Sequence, residues 1–547
     1  MSIAALLFLA GCSTNLLDTL NPLKSTEDEA KRGTIGFVEG FLGGVAADEP
    51  RATLIGRDVL SSGGTAADAA VAISFALSVT LPSSASLGGG GLCLVHGVKS
   101  NTTETLDFLP AIPSKIGTSS QPPAAVPGLV RGMAALHAKY GRLQWSQLIA
   151  PAEKLSRFGE RVSRALARDL KQAEPVLMAD PQLRKIFAAG KGDVLVREGE
   201  FLKQPDLSSV LGRLRARGAG DFYTGLVARQ LVADVAGAGG VISKEDLRNY
   251  APRWRPTLKV PYIKETNFHF ATPPGASNVL AAQMMSVMVK DGGWEKASPA
   301  ERAHLMAEAT GRPFADRGRW LQGDGSAGGS PEKLISKDTI QHLLTGYRAD
   351  RHVAWARAGA MTADDPGNRS GTGFVVADRE GSAVACGLTL NNPFGAGRVA
   401  PGTGILLAAL PGPNGRGPDA LVPVLLVSDL FNVFYYAAVA TGGSAAPSAL
   451  ANVTTRALFG VEGEAPQGAL AAKRIHNGGI PDVTYYEQGM ADDVVKALAA
   501  MGHRVEQTSS IGQVNVIFCP AGVPKKDGTS CATLTDPRGF GLGAGNE

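Results

Sequence analysis

The sequence predicts an α/β protein in which helices cover stacked β-sheets. Residues 63–72 are a compact run of small residues with the character of a buried helix, and residues 129 to about 250 have a mainly helical pattern. A polar turn at residues 378–381 separates two strand-like runs. Helical and strand-like stretches alternate irregularly along the 547 residues, which fits sheets packed beneath helices. Hydrophobic residues make up 44% of the chain, enough for a large core.

Turn residues set the order of the predicted elements. Leu81-Pro82 ends the small-residue helix, because proline cannot continue it, and four glycines at residues 88–91 make a tight turn into a strand at 92–96. The further elements are helices at 129–140, 146–158 and 207–217, strands at 258–271, 373–378 and 383–389, helices at 445–459 and 492–501, and a hairpin of 513–518 with 532–534.

The first residues indicate export. A short apolar run at residues 3–10 leads into Leu9-Ala10-Gly11-Cys12, which resembles a bacterial lipoprotein signal of residues 1–11, cleaved so that Cys12 is lipidated. The polar residues 12–34 would then be a tether. This predicts a protein on the periplasmic face, anchored to the outer membrane only through lipid. No basic residue precedes the apolar run, as the first part of a signal peptide requires. The alternatives are therefore a fragment of an ordinary signal peptide or a cysteine placed there by chance.

Several function classes find no support. The net charge of +4 is small for this length and no long basic run occurs, so we expect no nucleic-acid partner. The eight histidines are scattered without a His-Glu-x-x-His motif, so we expect no metal site and no cofactor. No Gly-x-Ser-x-Gly elbow is present, and no Gly-Lys-Ser/Thr follows the glycine run.

The cysteines leave alternatives open. Cys519 and Cys531 flank a polar turn, and they either form a disulfide across a hairpin or remain two thiols packed as small apolar groups. No two cysteines, Cys93 and Cys386 included, have the Cys-x-x-Cys spacing of a zinc or redox site.

The order of short motifs identifies a family. The run GGTAADAA at residues 63–70, followed by the glycine turn at 88–91, resembles the corresponding helix and turn of γ-glutamyltranspeptidases (glutathione hydrolases). Further matches, in the same order as in the family, are Asp107-Phe108 with Pro113, Val126-Pro127-Gly128, Tyr140-Gly141, Pro151-Ala152, Phe222-Tyr223 with Gly225, residues 239–250, Pro273-Pro274-Gly275, residues 314–317, Thr389-Leu390-Asn391 with Phe394-Gly395, and Asp536-Pro537-Arg538. The resemblance spans roughly residues 35–545, and it makes the chain a divergent member of the N-terminal-nucleophile (Ntn) hydrolases.

The resemblance implies a four-layer αββα fold with helical additions in the large-subunit part. It also implies a precursor that cuts itself into a large subunit, residues 35–371, and a small subunit, residues 372–547, which remain together as one intertwined domain. The new N-terminal threonine of the small subunit then acts as nucleophile. Its own α-amine, with an ordinary pKa of about 8, is a suitable base near neutral pH.

The nucleophile segment departs from the family pattern. The family has Thr-Thr-His before a strand that ends in Asp; counting back from Asp378, the run here is Gly371-Thr372-Gly373. Either the cut has moved to the Gly371–Thr372 bond and Thr372 is the catalytic residue, or the nucleophile is lost and Thr372 is an ordinary strand-edge threonine. Ser370 is a third candidate.

The donor pocket departs further. Leu109 stands where the family has an arginine that binds the donor's α-carboxylate, and no acid occurs in Leu410-Pro411-Gly412-Pro413, where the donor amine is held. The family's paired serines correspond to Asp419-Ala420, and its Gly-Gly oxyanion segment aligns best with Ala446-Pro447, although Gly442-Gly443 lies nearby. Thr389 and Asn391 match donor-binding positions.

Two functions fit these departures. Leucine cannot replace a bidentate arginine, so the first hypothesis is an Ntn amidase or acyltransferase with a more apolar donor pocket, acting on γ-glutamyl or other acyl amides such as glutathione. The second is a non-catalytic envelope scaffold or binding protein that keeps the fold.

Overall fold

The structure is a computed structural model that describes residues 42–545, except 117–122, 191, 238–240, 292, 323–326, 356–370, 412–420, 460–465 and 525–530. Cys12, the signal segment and the tether lie outside the described residues, as do Asp419-Ala420 and Ser370. In the part of the chain that is described, no helix is long and apolar enough to cross a membrane.

Two antiparallel sheets form the centre of the fold. The first sheet has seven strands, in the spatial order Leu542–Gly545, Gly43–Ala47, Thr372–Asp378, Ala383–Thr389, Gly90–Gly97, Thr102–Phe108 and Arg253–Arg255. The second sheet has six strands, in the order Ala532–Leu534, Gln513–Val523, Val433–Thr441, Val422–Ser428, Thr266–Ala271 and Thr257–Pro261. Strands that precede residue 371 and strands that follow it are therefore interleaved within the first sheet.

Helices cover the outer face of each sheet. Over the first sheet lie Pro50–Ser61, Ala66–Thr80, Leu129–Tyr140 and Trp145–Phe158, with the additional helices Arg164–Ala179, Pro181–Phe187, Pro205–Arg217, Gly220–Tyr223, Leu226–Gly237 and Lys244–Asn249 beside them. Over the second lie Ala276–Asp291, Pro299–Asp316 and Ala446–Leu458, with Pro331–Leu334, Lys337–Leu343, Pro466–Ala471 and Asp492–Ala500. A small sheet of Ile475–Asn477, Thr484–Glu487 and Val505–Thr508 lies at this side.

The alternation of side chains along the strands explains the layers. In the strand Thr372–Asp378, Phe374 and Val376 face the first helical layer, whereas Val375 and Ala377 face the second sheet. The residues between the sheets form one apolar cluster, and each sheet forms another with its helices. Three apolar interfaces separate four layers, so the expected αββα sandwich is confirmed.

The local predictions fare differently according to the turns involved. The helix Leu129–Tyr140 and the strand Ala383–Thr389 have the predicted bounds. The single strand expected at 258–271 is wrong, because a turn with positive φ at Lys264 and Glu265 divides it into two strands. The turn residues 262–265 include neither the glycine nor the asparagine that usually marks such a turn.

The cysteines form two disulfides. Cys519 and Cys531 are bonded, which decides between the two alternatives left open by the sequence. Cys93 and Cys386 are bonded as well. They are direct partners on neighbouring antiparallel strands of the first sheet, and both are fully buried. Spacing along the chain could not indicate this pair, since 293 residues separate its members.

Candidate active site

Thr372 begins the third strand of the first sheet and is fully buried. Its Oγ1 donates a hydrogen bond to Asp48 Oδ2 at 3.0 Å. Asp48 lies between the strand Gly43–Ala47 and the helix Pro50–Ser61, where Glu49 caps the helix by accepting from the Ala52 N–H. The hydroxyl of the predicted nucleophile therefore contacts a carboxylate that the sequence analysis did not single out.

The carboxylate of Asp48 is held in place on every side. Oδ2 also accepts from the Gly373 N–H at 2.8 Å, and Oδ1 accepts from Asn515 Nδ2, likewise at 2.8 Å. Burial raises the pKa of Asp48, although the hydrogen bonds from Gly373, Asn515 and Thr372 act in the opposite direction. A carboxylate with a raised pKa is a stronger base, and here it is hydrogen-bonded to the hydroxyl that would lose a proton.

Gly371 separates Thr372 from a cavity. Its φ of +79° lies in the left-handed region, which glycine adopts without a steric penalty. The cavity has a volume of about 230 Å³. Its lining comes from segments next to strands of the first sheet, from two strands of the second sheet and from one added helix: Asp48, Leu81, Ser84, Ala165, Arg168, Asp169, Gln172, Ala173, Gly371, Pro393, Thr441, Gly442, Gln513 and Phe540.

The lining of the cavity includes charged side chains. Its lining includes Arg168 and Asp169, whereas Leu109, at the family's arginine position, does not line it. Leu109 instead packs beside the cluster between the sheets, and its carbonyl accepts from the Tyr250 hydroxyl at 2.9 Å. Leu109 lies outside this cavity, so the expectation of an apolar donor pocket around Leu109 stays a prediction. The charged groups come from the helix Arg164–Ala179, which the motif comparison did not cover.

Arg131 does not supply a replacement for the missing arginine. Its guanidinium lies 4.3 Å from the centre of the Tyr223 ring. The same group donates to the carbonyl of Arg248 at 3.0 Å and also to that of Tyr250. These contacts hold it outside the lining of the cavity.

Thr389 is the last residue of its strand, and Asn391 lies two residues before the cavity wall at Pro393. Both residues are buried. Thr389 Oγ1 accepts from the Asn391 N–H at 2.8 Å, and Asn391 Nδ2 donates to the Ala409 carbonyl at 2.7 Å. Asn391 Oδ1 is buried without a hydrogen-bond partner among the described residues. Both side chains thus shape the turn behind the cavity, and neither lines it.

The second sheet contributes a backbone that suits an oxyanion. Thr441 and Gly442 line the cavity, and Gly442 precedes a helical turn that continues into the helix Ala446–Leu458. Ala446-Pro447, which the sequence alignment favoured, are buried in the first turn of that helix and do not line the cavity. Gly442 therefore brings the Gly442-Gly443 segment to the cavity, where backbone N–H groups at the start of a helix would stabilise negative charge, and the assignment of the oxyanion segment stays a prediction.

Asp68 and Asp378 anchor the small-residue helix. Asp68 accepts from the Thr65 N–H and from the Arg142 N–H, so it caps its own helix and fixes the Tyr140-Gly141 turn. Asp378, which ends the strand of Thr372, accepts from the Ala66 N–H at 2.9 Å. Burial raises the pKa of Asp378 to about 6. Asp378 therefore joins the small-residue helix to the strand of Thr372, and Asp68 joins the same helix to the turn at Tyr140-Gly141, so both roles are structural.

A cluster of histidines lies apart from the cavity. His304, Glu308 and His503 bring three potential metal-ligating atoms within 4.8 Å of one another. His304 Nδ1 lies 2.8 Å from His503 Nε2, and its Nε2 lies 2.8 Å from the Arg348 carbonyl. Glu308 accepts from Arg312 and bonds to His352. Each of these ligand atoms has a hydrogen-bond partner, so the arrangement is a buried polar network. The sequence analysis overlooked that His304 and Glu308 are one helical turn apart.

Comparison with known proteins decides the family. The family model described as gamma-glutamyltranspeptidase matches residues 52–545. The chain belongs to the γ-glutamyltranspeptidase family. It is 29% identical to the glutathione hydrolase proenzyme of Escherichia coli over 523 residues, covering 87% of this chain and 88% of the relative. It is 30% identical to glutathione hydrolase 3 of Arabidopsis thaliana, and the match covers 89% of this chain and 82% of that relative.

Solved structures share the architecture. The cephalosporin acylase of Bacillus halodurans superposes with a TM-score of 0.78 at 23% identity, covering 93% of this chain and 96% of that one. The γ-glutamyltranspeptidase of Helicobacter pylori superposes with a TM-score of 0.51 at 32% identity, covering 56% of this chain and 91% of that one. The fold of this γ-glutamyltranspeptidase family member is that of the Ntn hydrolases.

Proposed function

We propose that this protein is an autoprocessed amidohydrolase and acyltransferase whose nucleophile is Thr372. Its substrates are γ-glutamyl or related acyl amides such as glutathione. The observation that carries the proposal is the 3.0 Å hydrogen bond from Thr372 Oγ1 to Asp48. Through this contact the Asp48 carboxylate, whose pKa is raised, accepts from the hydroxyl beside the Gly371–Thr372 bond, which must break.

The processing step follows from this contact. Asp48 takes the proton of Thr372 Oγ1 as that oxygen attacks the carbonyl carbon of Gly371. The C–N bond between the two residues breaks, the proton passes to the departing nitrogen, and an ester is left. The α-amine of Thr372 is free from that point on. Water then hydrolyses the ester, which frees the carboxylate of Gly371 and the hydroxyl of Thr372. Gly371 carries no Cβ that would crowd the approach of the hydroxyl.

The processed site would act on substrate by the same chemistry. The α-amine of Thr372 serves as the base for its own hydroxyl, which attacks the substrate's amide carbonyl and releases an amine. The N–H groups of Gly442-Gly443 stabilise the oxyanion that forms. Water or an acceptor amine then takes the acyl group from the threonine ester. The Escherichia coli relative is named a proenzyme, which supports a precursor here.

The proposal includes two subunits from one chain and a location in the cell envelope. The large subunit is residues 35–371 and the small subunit is residues 372–547, with a lipid anchor on Cys12 after removal of residues 1–11. The two disulfides support folding in an oxidising compartment.

A second candidate function is the scaffold that keeps the fold without catalysis. It is favoured by Gly371, which occupies the family's nucleophile position and forms part of the cavity wall, while Thr372 is fully buried in a strand. In that case the chain stays intact, and the cavity binds a ligand without catalysing a reaction.

Sequencing the fragments separates the two. Under the first proposal, purified protein gives a smaller band that begins Thr-Gly-Phe-Val-Val, Thr372→Ala gives one uncut chain, and Thr372→Ser, which keeps a hydroxyl, still cuts. A wild-type chain that stays intact after long incubation contradicts processing and favours the scaffold.

A further inference from the structure

The helix Arg164–Ala179 presents one face to the cavity beside Gly371. Ala165, Arg168, Asp169, Gln172 and Ala173 all line the cavity, at the spacings of three and four that place residues on one side of a helix. Ser163 caps the start of this helix by accepting from the Leu166 N–H. The two charged groups are therefore fixed on a regular element opposite the candidate nucleophile segment.

Arg168 and Asp169 form an ion pair with hydrogen-bonding capacity left over. Arg168 Nη2 lies 2.8 Å from Asp169 Oδ1, and Arg168 Nε donates to the same oxygen at 2.9 Å. No hydrogen bond engages Arg168 Nη1 among the described residues, and the guanidinium lies 5.4 Å from the Phe540 ring centre. Asp169 Oδ2 accepts from the Ser83 hydroxyl at 2.7 Å. The side chains of Arg168 and Asp169 are 25% and 14% exposed, so a ligand in the cavity can reach them.

A third polar group faces the same space. Gln513 lines the cavity and is only 9% exposed, yet its Nε2 has no hydrogen-bond partner among the described residues. A buried amide donor without a partner is costly, and a ligand oxygen in the cavity would satisfy it. The cavity thus offers a cation, an anion and a neutral donor to one small molecule.

We infer that Arg168 and Asp169 are the specificity-determining pair of this enzyme, and that they bind the zwitterionic α-amino acid head group of the acyl donor. Arg168 binds the carboxylate and Asp169 binds the ammonium group. The inference rests on the proposed function, because the head group must lie in the cavity beside Gly371 and Thr372. It explains how a chain with Leu109 at the family's arginine position keeps a charged donor: the recognition has moved to a different helix.

Binding to the purified full-length protein tests the inference with three probes that differ by one charged group. L-Glutamate carries both α-groups, glutarate lacks the α-amine, and 4-aminobutyrate lacks the α-carboxylate. By calorimetry, Arg168→Met should weaken the binding of L-glutamate and of glutarate by about tenfold or more. The affinity for 4-aminobutyrate should stay unchanged. Asp169→Asn should weaken the binding of L-glutamate and of 4-aminobutyrate and leave the affinity for glutarate unchanged.

Arg164→Met is the matched control. Arg164 is on the same helix and lies 5.6 Å from the same Phe540 ring, but it pairs with Glu198 and does not line the cavity. Wild-type affinity for all three probes is expected. The inference is overturned if wild-type protein does not bind L-glutamate, or if Arg168→Met and Arg164→Met have the same effect.

The same measurements separate this inference from the proposed function. A chain that never cuts itself but binds L-glutamate through Arg168 contradicts the catalytic proposal and leaves the head-group site standing. A chain that cuts itself and hydrolyses amides, but whose Arg168→Met and Asp169→Asn variants bind all three probes as wild type does, overturns the inference alone.

Discussion

Cys93 and Cys386 are bonded across neighbouring strands, with their Cα atoms 4.1 Å apart, and the proposed cut at residues 371–372 falls between them in the sequence. The strand of Cys93 belongs to the proposed large subunit and the strand of Cys386 to the small one. Both sulfurs are buried in the core between the first sheet and its helices, where reductants have no access in the folded state.

The first prediction is that processing leaves the two subunits covalently joined. On a denaturing gel, processed protein should run as one band at full-chain size without reductant and as two bands with reductant. Cys386→Ala should give two bands under both conditions. Cys519→Ala is the matched control and should behave as wild type, because Cys519 and Cys531 both lie in the small-subunit region. Two bands from processed wild-type protein without reductant would contradict the disulfide.

The second prediction concerns the base. Asp48→Asn keeps an oxygen that can accept from Thr372 but cannot take its proton, so processing should slow by about 100-fold or more. The measurement is the rate at which the Thr372 N-terminus appears after synthesis. Glu49→Gln is the control: Glu49 is the adjacent buried carboxylate and caps a helix, without contact to Thr372. It should process at nearly the wild-type rate. Equal rates in Asp48→Asn and wild type would remove Asp48 from the mechanism.

The third prediction is a loss of stability at alkaline pH through His352. Burial lowers its pKa, but hydrogen bonds to Asp482 and Glu308 outweigh this and raise the pKa to about 9. The unfolded value is 6.5. The ion pairs therefore contribute fully below pH 6.5, and the contribution, on the order of 2 kcal/mol, is lost as pH rises towards 9.

Chemical denaturation at several pH values checks this. The difference in unfolding free energy between wild type and His352→Gln should shrink between pH 6.5 and 9. His342→Gln is the control, because His342 is about half exposed at 46% and pairs with Asp316 at the surface; its difference should stay small throughout. A constant difference for His352→Gln would show that the pKa of His352 is not raised in the folded protein.

The fourth prediction comes from the sequence alone. Cys12→Ala should move the protein from the membrane fraction to the soluble fraction of cells, because the residue that carries the lipid is gone. Ser13→Ala, one residue on, should leave the distribution unchanged. Detection of an unmodified residue 12 by mass spectrometry in membrane-bound protein would contradict lipidation.

Local sequence was a good guide wherever the decisive interaction was local. Gly128 and Gly141 bound the helix Leu129–Tyr140 at the predicted residues, and the polar turn at 378–381 gave the strand Ala383–Thr389 its correct start. The order of family motifs then supplied the four layers, which periodicity alone could not. Fold prediction succeeded because many weak signals agreed.

The candidate site was harder, because its contacts join distant parts of the chain. Asp48 meets Thr372 across 324 residues, and no spacing rule relates them. Arg168 and Asp169 did carry a local signal: with Ala165, Gln172 and Ala173 they follow helical spacing. That signal showed a shared face but not what the face would contact. Only the three-dimensional structure shows that this helix, Gly371 and Gly442 line one cavity.

The disulfide between Cys93 and Cys386 changes the order of the refolding reaction. Without it, a processed molecule that unfolds would separate into two chains. Refolding would then be a second-order reaction, and its rate would fall as the protein is diluted. With it, both chains remain tethered, so refolding stays first order and independent of concentration. A protein in a dilute compartment outside the cytoplasm would thereby recover from transient unfolding even after its backbone has been cut.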